Sequence, residues 1–343
     1  MKLFTEVPCE KAILFPLSEP VCVLGSCFAD AMGARLTDAG FDVLRNPFGT
    51  LYNPASIADA VRRLDSGEAF SSEDCIPLGA GDGRIGSFSH HTSFARPSAE
   101  EFLAYANARL SEDAARWKRC TRVILTLGTA WVWRSLERPG QSVVANCLKR
   151  PAAEFSHELL NVDACTGLLR DIILGHPDKQ FLLTVSPIRH LGDGAHANTI
   201  SKSTLHLAVQ QLLDGDAAAA VTPSTPTRGM AGYSLSRTGI RQAPPAIRLQ
   251  HPEPAEGSRL SGPPSSFGGE STVPVVSYFP AYEILTDELR DYRFYAEDLV
   301  HPAPAAVQII WERFLDACTD PADRPRILEA ERTARAAAHR PNR

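Results

Sequence analysis

Short, nearly unbroken apolar runs recur along this chain, each ended by glycine, serine, proline or asparagine and followed by an amphipathic stretch. Val21-Cys22-Val23-Leu24 stops at Gly25, residues 123–127 at Gly128, residues 181–185 at Ser186-Pro187, and residues 275–279 at Pro280. Residues 41–44 form another such run, closed by Asn46-Pro47-Phe48-Gly49. Apolar spacings of three and four predict helices over 28–36, 54–64, 99–110, 156–174, 200–213 and 303–315. Strands apolar on both sides belong to a parallel sheet covered on both faces. The expected fold is therefore an α/β three-layer α/β/α sandwich with a mostly parallel sheet. Ligands of such sheets bind beyond the carboxyl ends of the strands. Attention goes to Gly25-Ser26, residues 46–49, Gly128-Thr129, Ser186-Pro187 and the turn before His301.

Composition excludes several classes. Across 343 residues, Lys and Arg number 35 against 40 Asp and Glu, a formal net charge of −5. A protein that coats nucleic acid needs a basic excess, so no nucleic-acid partner is expected. No apolar run approaches the ~18 residues of a membrane helix, and charges stand close to the first residue; a soluble, cytoplasmic protein is expected. The eight cysteines show neither CxxC nor metal-ligand spacing, so buried thiols are predicted and no metal site. The glycines at 79, 81, 83 and 86 lack the strand-then-helix setting of a phosphate loop, and no cofactor is implied.

Two local patterns carry chemistry. In Gly25-Ser26-Cys27-Phe28-Ala29 a serine stands where a strand turns sharply into a helix. The turn exposes a hydroxyl, and the helix N-terminus favours negative charge developing beside it. The same serine also suits a plain helix cap. In Asp298-Leu299-Val300-His301-Pro302 the three-residue spacing puts carboxylate and imidazole on one side of the backbone. Asp298 can then accept the Nδ1 proton of His301 and leave Nε2 for a nucleophile, or the two form a surface pair at a helix start. Cys27 beside Ser26 is assigned to packing.

Further stretches continue the pattern: Asn46-Pro47-Phe48-Gly49-Thr50-Leu51-Tyr52-Asn53-Pro54, Thr126-Leu127-Gly128-Thr129-Ala130-Trp131-Val132-Trp133, Ser186-Pro187-Ile188-Arg189-His190 and Tyr278-Phe279-Pro280-Ala281-Tyr282-Glu283-Ile284. In this order they resemble the GSCFA domain family, a relative of the SGNH or GDSL-type hydrolases. The resemblance implies Ser26 as nucleophile, His301 as general base and Asp298 as its orienter, acting on a small-molecule or carbohydrate-linked ester. It also implies oxyanion donors after later strands. Gly49 takes the glycine role, while the usual GxND block reads Gly128-Thr129-Ala130-Trp131 here, leaving Thr129 or Asn46 as substitutes. An esterase or deacylase, an acyltransferase with the same triad, and a non-catalytic binding module all remain open. The oligomeric state is not legible. Of the other polar residues, His90 and His91 stand near the expected cleft, and Arg189 and His190 are placed to meet an anionic group. Glu283 is either a cleft carboxylate or a paired one, and Trp131 and Trp133 alternate as core residues of a strand.

The hydrolase domain is expected to comprise 1–215 and 273–318. Residues 216–272 are rich in Pro, Gly, Ser, Thr and Ala and lack a periodic apolar face. They read as a low-complexity, disordered insertion, whose tail resembles a translated palindromic repeat; a functional lid is the competing interpretation. Residues 319–343 are expected to form a C-terminal tail, a frayed helix or a solvated segment. Because loop closure costs grow slowly with length, deleting 216–272 should leave folding and turnover nearly unaltered in unfolding and ester-hydrolysis assays. Lost solubility or lost turnover would identify a lid.

Overall fold

All five residues of the strand Val21–Gly25 are buried, and this strand is flanked by a parallel neighbour on each side. A computed structural model describes residues 5–11, 13–137, 142–216 and 275–338. In chain order, β1 (Val21–Gly25) leads into α1 (Cys27–Asp38), and β2 (Val43–Arg45) is followed by α2 (Pro54–Ser66). A small hairpin, β3 (Ile76–Pro77) with β4 (Ile85–Gly86), precedes α3 (Ala99–Arg119) and β5 (Arg122–Leu127). Next come β6 (Trp131–Ser135), β7 (Val143–Val144), β8 (Phe155–Leu159), α4 (Val162–Leu174), β9 (Gln180–Val185) and α5 (Ala195–Asp216). The described chain resumes with β10 (Val276–Tyr278), α6 (Ala281–Glu283), α7 (Pro304–Cys318) and α8 (Arg324–Ala338). Among the described residues no helix is long and apolar enough to cross a membrane.

The main sheet has the order β10-β9-β5-β1-β2, with every pairing parallel. Side chains alternate between its faces, as a strand's period of two requires. Cys22, Leu24, Val123, Leu125, Phe181 and Leu183 pack on one side with Val61 of α2, Trp117 of α3, Leu169 of α4 and Leu205 of α5. Val21, Val23, Ile124 and Leu182 pack on the other with Phe28 and Met32 of α1 and Trp311 and Phe314 of α7. Helices thus cover both faces, and the fold is the expected α/β/α sandwich.

Several boundaries differ from the sequence-based expectation. The helix predicted from 156 starts at Val162, where Asn161 Oδ1 caps it by accepting from Ala164 N at 2.8 Å. The preceding residues instead form β8, paired antiparallel with β6. Trp131 and Trp133 lie on β6 as predicted but are only half-buried. His157 of β8 stacks against both, with ring centroids 4.7 and 3.9 Å away. The helix predicted over 99–110 continues to Arg119 because Ala114 and Trp117 extend its buried face. Of the expected insertion at 216–272, only Asp216 lies within the described residues, as the last residue of α5.

Of the two alternatives for the C-terminal stretch, a helix is present, and it is docked on the body of the fold. Residues 324–338 form α8, whose Ile327 is fully buried among side chains of the α1–α7 face. Trp311 Nε1 donates to Glu331 Oε1 at 2.7 Å, tying α7 to α8. Isoleucine-to-alanine changes at fully buried sites cost about 2–4 kcal/mol. Ile327→Ala should therefore lower the urea midpoint by that equivalent, whereas Arg332→Ala on the exposed face of α8 should change it little.

Candidate active site

The parallel register brings three strand ends to one edge. Gly25 pairs with Thr126, and Thr126 with Thr184, so Ser26, Gly128 and Ser186 leave the sheet side by side. Gly25 has φ +141°, a conformation that L side chains rarely adopt, and a Cβ there would run into the Thr126 carbonyl. Ser26 caps α1, its Oγ accepting from Phe28 N at 3.3 Å. The residue is fully buried, and Oγ donates to Ser186 Oγ at 3.0 Å. Its own N–H donates to Thr126 O at 3.2 Å.

Beneath these ends lies a cation absent from the sequence-based expectations. Lys202 of α5 is buried, and its Nζ donates to Gly128 O at 2.6 Å and Ser186 O at 2.7 Å. Burial pushes its pKa down to about 7, while bonds to two carbonyls favour the ammonium form. The signal was present in sequence: Lys202 shares a helical face with Leu205, Val209 and Leu212, which a solvated lysine would not. Ser201 joins the same junction, with Oγ 2.9 Å from Thr129 Oγ1 and accepting from Ala130 N at 2.8 Å.

Across the edge stands a carboxylate–imidazole pair. Asp298 Oδ1 accepts the N–H groups of Val300 and His301, each at 2.9 Å, and Oδ2 lies 2.6 Å from His301 Nδ1. The N–H groups of His301 and Val300, followed by the imidazole, hold the Asp298 pKa down at about 2. Because Oδ2 accepts, Nδ1 carries the proton and Nε2 is left as the available nitrogen. The loop is held by Arg189 N donating to Val300 O at 3.2 Å and Ala296 N to His301 O at 2.8 Å.

Asp298 and His301 therefore meet, but Ser26 is bonded to Ser186 and not to His301. The residue neighbouring both is His190. A methyl at Gly128 would lie 3.1 Å from His190 Nε2 and 3.3 Å from Ser26 Cβ, so only glycine leaves room for both. His190 N donates to Asn198 Oδ1 at 2.9 Å, while its buried Nε2 has no hydrogen-bond partner. Burial, then the charges of Lys202 and His301, lower its pKa to about 4.

The expected oxyanion donors are occupied within the protein. Asn46 Oδ1 accepts from Gly25 N at 2.9 Å and its Nδ2 donates to Asp30 Oδ1 at 2.9 Å, binding the β2 exit to the β1 exit. Gly49 N donates to Asn46 O at 2.7 Å, and the N–H groups of Gly128 and Thr129 both reach Tyr52 O at 2.8 Å. The Thr129 hydroxyl meets Ser201 and accepts from Trp131 N at 3.1 Å. His91 Nδ1 accepts from Ser93 N at 3.2 Å while its Cβ side abuts Gly49. His90 is buried among Phe48, Phe70 and Phe94, 2.7 Å from Ser87 Oγ through Nδ1. Glu283 takes the paired role, accepting the Tyr278 hydroxyl at 2.9 and 2.8 Å. Cys27 Sγ lies 3.3 Å from the Tyr52 hydroxyl, whose pKa burial and this contact push up to about 12. Arg189 faces a separate cavity with Asn198 and Tyr295. Among the described residues no group of three or more His, Cys, Asp and Glu is arranged to hold a metal ion.

His190 titrates at about 4 when folded and near 6.5 when unfolded, so the unfolded chain binds more protons between those values. Its stabilising contribution is complete above pH 6.5 and is lost as pH falls toward 4, on the order of 3 kcal/mol. Urea titrations at pH 7 and pH 4.5 should show this loss in the wild type and a smaller one in His190→Gln.

The sequence matches the GSCFA family over residues 20–224 and 269–314. No curated protein and no solved structure matches the chain significantly. The matched segments cover most of the chain and include Ser26, Lys202, Asp298 and His301, and the protein belongs to the GSCFA family.

Proposed function

We propose that this protein is a serine hydrolase of the SGNH type that cleaves a carboxylic ester, with Ser26 as nucleophile, His301 as base and Asp298 as its orienter. The observation that carries this assignment is the Asp298–His301 pair: a carboxylate locked by two backbone N–H groups, 2.6 Å from Nδ1. Its position on a loop bonded to the β9 exit supports it further. In the reaction, the Ser26 Oγ proton passes to His301 Nε2 as Oγ attacks the ester carbonyl. Collapse of the tetrahedral adduct breaks the bond to the alcohol, which leaves with that proton. Water then gives a proton to His301 and attacks the acyl-enzyme; the acid departs and Oγ regains its proton. The N-terminus of α1 provides positive potential at the developing oxyanion.

This chemistry requires the Ser26 hydroxyl to leave Ser186 and become accessible. Its burial and its two hydrogen bonds favour a second reading, a binding module in which Ser26 only caps α1. A fluorophosphonate probe and a panel of acyl and acetyl-sugar esters separate the two. The hydrolase should be labelled at Ser26, and Ser26→Ala and His301→Ala should each lower kcat by roughly 10³-fold or more. A folded wild type that neither labels nor turns over any ester would establish the binding module.

A further inference from the structure

We propose that the cavity beside the His301 loop is a subsite for an anionic group, a phosphate or a carboxylate, carried by the substrate. As a statement about substrate it rests on the hydrolase activity proposed above; as an anion site it stands on its own geometry. The cavity holds about 320 Å³ and is lined by Arg189, Asn198, Tyr282, Arg290, Tyr292 and Tyr295, among others. That volume lies at the small end of small-molecule sites.

Its electrostatics are unbalanced. Among the described residues, neither Arg189 nor Arg290 forms a side-chain hydrogen bond or ion pair. The guanidinium carbon of Arg189 lies over the Tyr295 ring, 5.9 Å from its centroid. One carboxylate lines the cavity, and it is already matched: Asp291 accepts from Arg293 N at 2.9 Å and from its guanidinium at 2.7 Å. With Asp291 engaged by Arg293, the lining keeps two guanidiniums whose charge an anion bound between them would offset. Their planar forks suit the paired oxygens of phosphate or carboxylate. Arg290 is also held at φ +46°, in the left-handed region, where it closes the π-helical turn Ile284–Leu289. Glycine would be the relaxed choice for that backbone, so an arginine there costs conformational energy that its side chain must offset.

The cavity wall is continuous with the catalytic loop. Arg189 N is bonded to Val300 O, Asn198 anchors the His190 backbone, and Tyr295 pairs with Pro302 next to His301. An anion held by the arginines would therefore fix one end of an ester while its carbonyl lies toward His301. The rings of Tyr282, Tyr292 and Tyr295 offer flat surfaces to the intervening part.

Titration calorimetry with inorganic phosphate and with succinate tests the site without turnover. Binding to wild type and to Ser26→Ala is expected at millimolar concentrations, with the tighter anion identifying phosphate or carboxylate as the group recognised. Arg189→Gln and Arg290→Gly should each weaken it about tenfold or more; glycine at 290 suits the positive φ and removes any backbone strain. Arg332→Gln, on the exposed face of α8, controls for net charge. Absence of binding of both anions to wild type, or equal weakening by Arg332→Gln, overturns the subsite. A second arm compares an anionic with a neutral ester: their kcat/KM ratio should fall about tenfold in Arg189→Gln. Ester turnover without arginine-dependent anion binding overturns the subsite and leaves the hydrolase standing. Arginine-dependent anion binding without turnover of any ester retains the anion site and removes the hydrolase.

Discussion

The close approach of β1 to β5 at Gly25 governs the architecture of the candidate site. No side chain fits between Gly25 and the Thr126 carbonyl, and Asn46 reaches across from the β2 exit to take the Gly25 N–H. With glycine there, the chain turns directly from the sheet into α1, and Ser26 falls at the helix cap. The same register sets Gly128 and Ser186 beside it. A larger residue at 25 would have to push the strands apart, in a region where both faces are packed against helices and interiors tolerate little displacement.

Lys202 secures that arrangement from below. An apolar residue in its place would leave the carbonyls of Gly128 and Ser186 without their donor, and each buried unsatisfied group costs about 1–3 kcal/mol. The lysine satisfies both while placing a positive charge near His190. That charge and the burial of the ring act in the same direction on His190, keeping it neutral. Neutral His190 and the half-exposed Asp298–His301 pair thus present different imidazole environments within one site: one desolvated, the other anchored to a carboxylate.

Energetic scale separates two requirements for the proposed chemistry. Breaking the neutral Ser26–Ser186 hydrogen bond costs about 1 kcal/mol, roughly a factor of five in population. Turning the hydroxyl is therefore a minor obstacle. Access is the larger one, since Ser26 has no exposed surface. Two segments outside the sheet border the site: the half-exposed loop that carries His301, and the turn at Tyr52, whose carbonyl accepts the N–H groups of Gly128 and Thr129. Neither segment belongs to the central strands, so either can shift without separating the sheet.

Much of this was legible in the amino-acid order, because apolar periodicity is a local property. The runs ending at Gly25, Gly128 and Ser186 announced buried parallel strands, and the spacing of Asp298 and His301 announced a pair that a single turn of backbone can assemble. Local pattern failed where partners are distant. Residues 156–159 have no helical fate once β6 lies alongside them, and α8 is held by a pocket for Ile327 made of α1 and α7. The expected oxyanion groups are engaged within the protein: Gly49 N by its own turn, but the N–H groups of Gly128 and Thr129 and the Thr129 hydroxyl by Tyr52 O and Ser201, partners remote in sequence that local pattern does not reveal. Lys202, Ser186 and the two unpaired arginines acquire meaning only when strand exits and loops converge: hydrogen bonding and desolvation are set by distance in space, and distance in space is decided by the packed sheet.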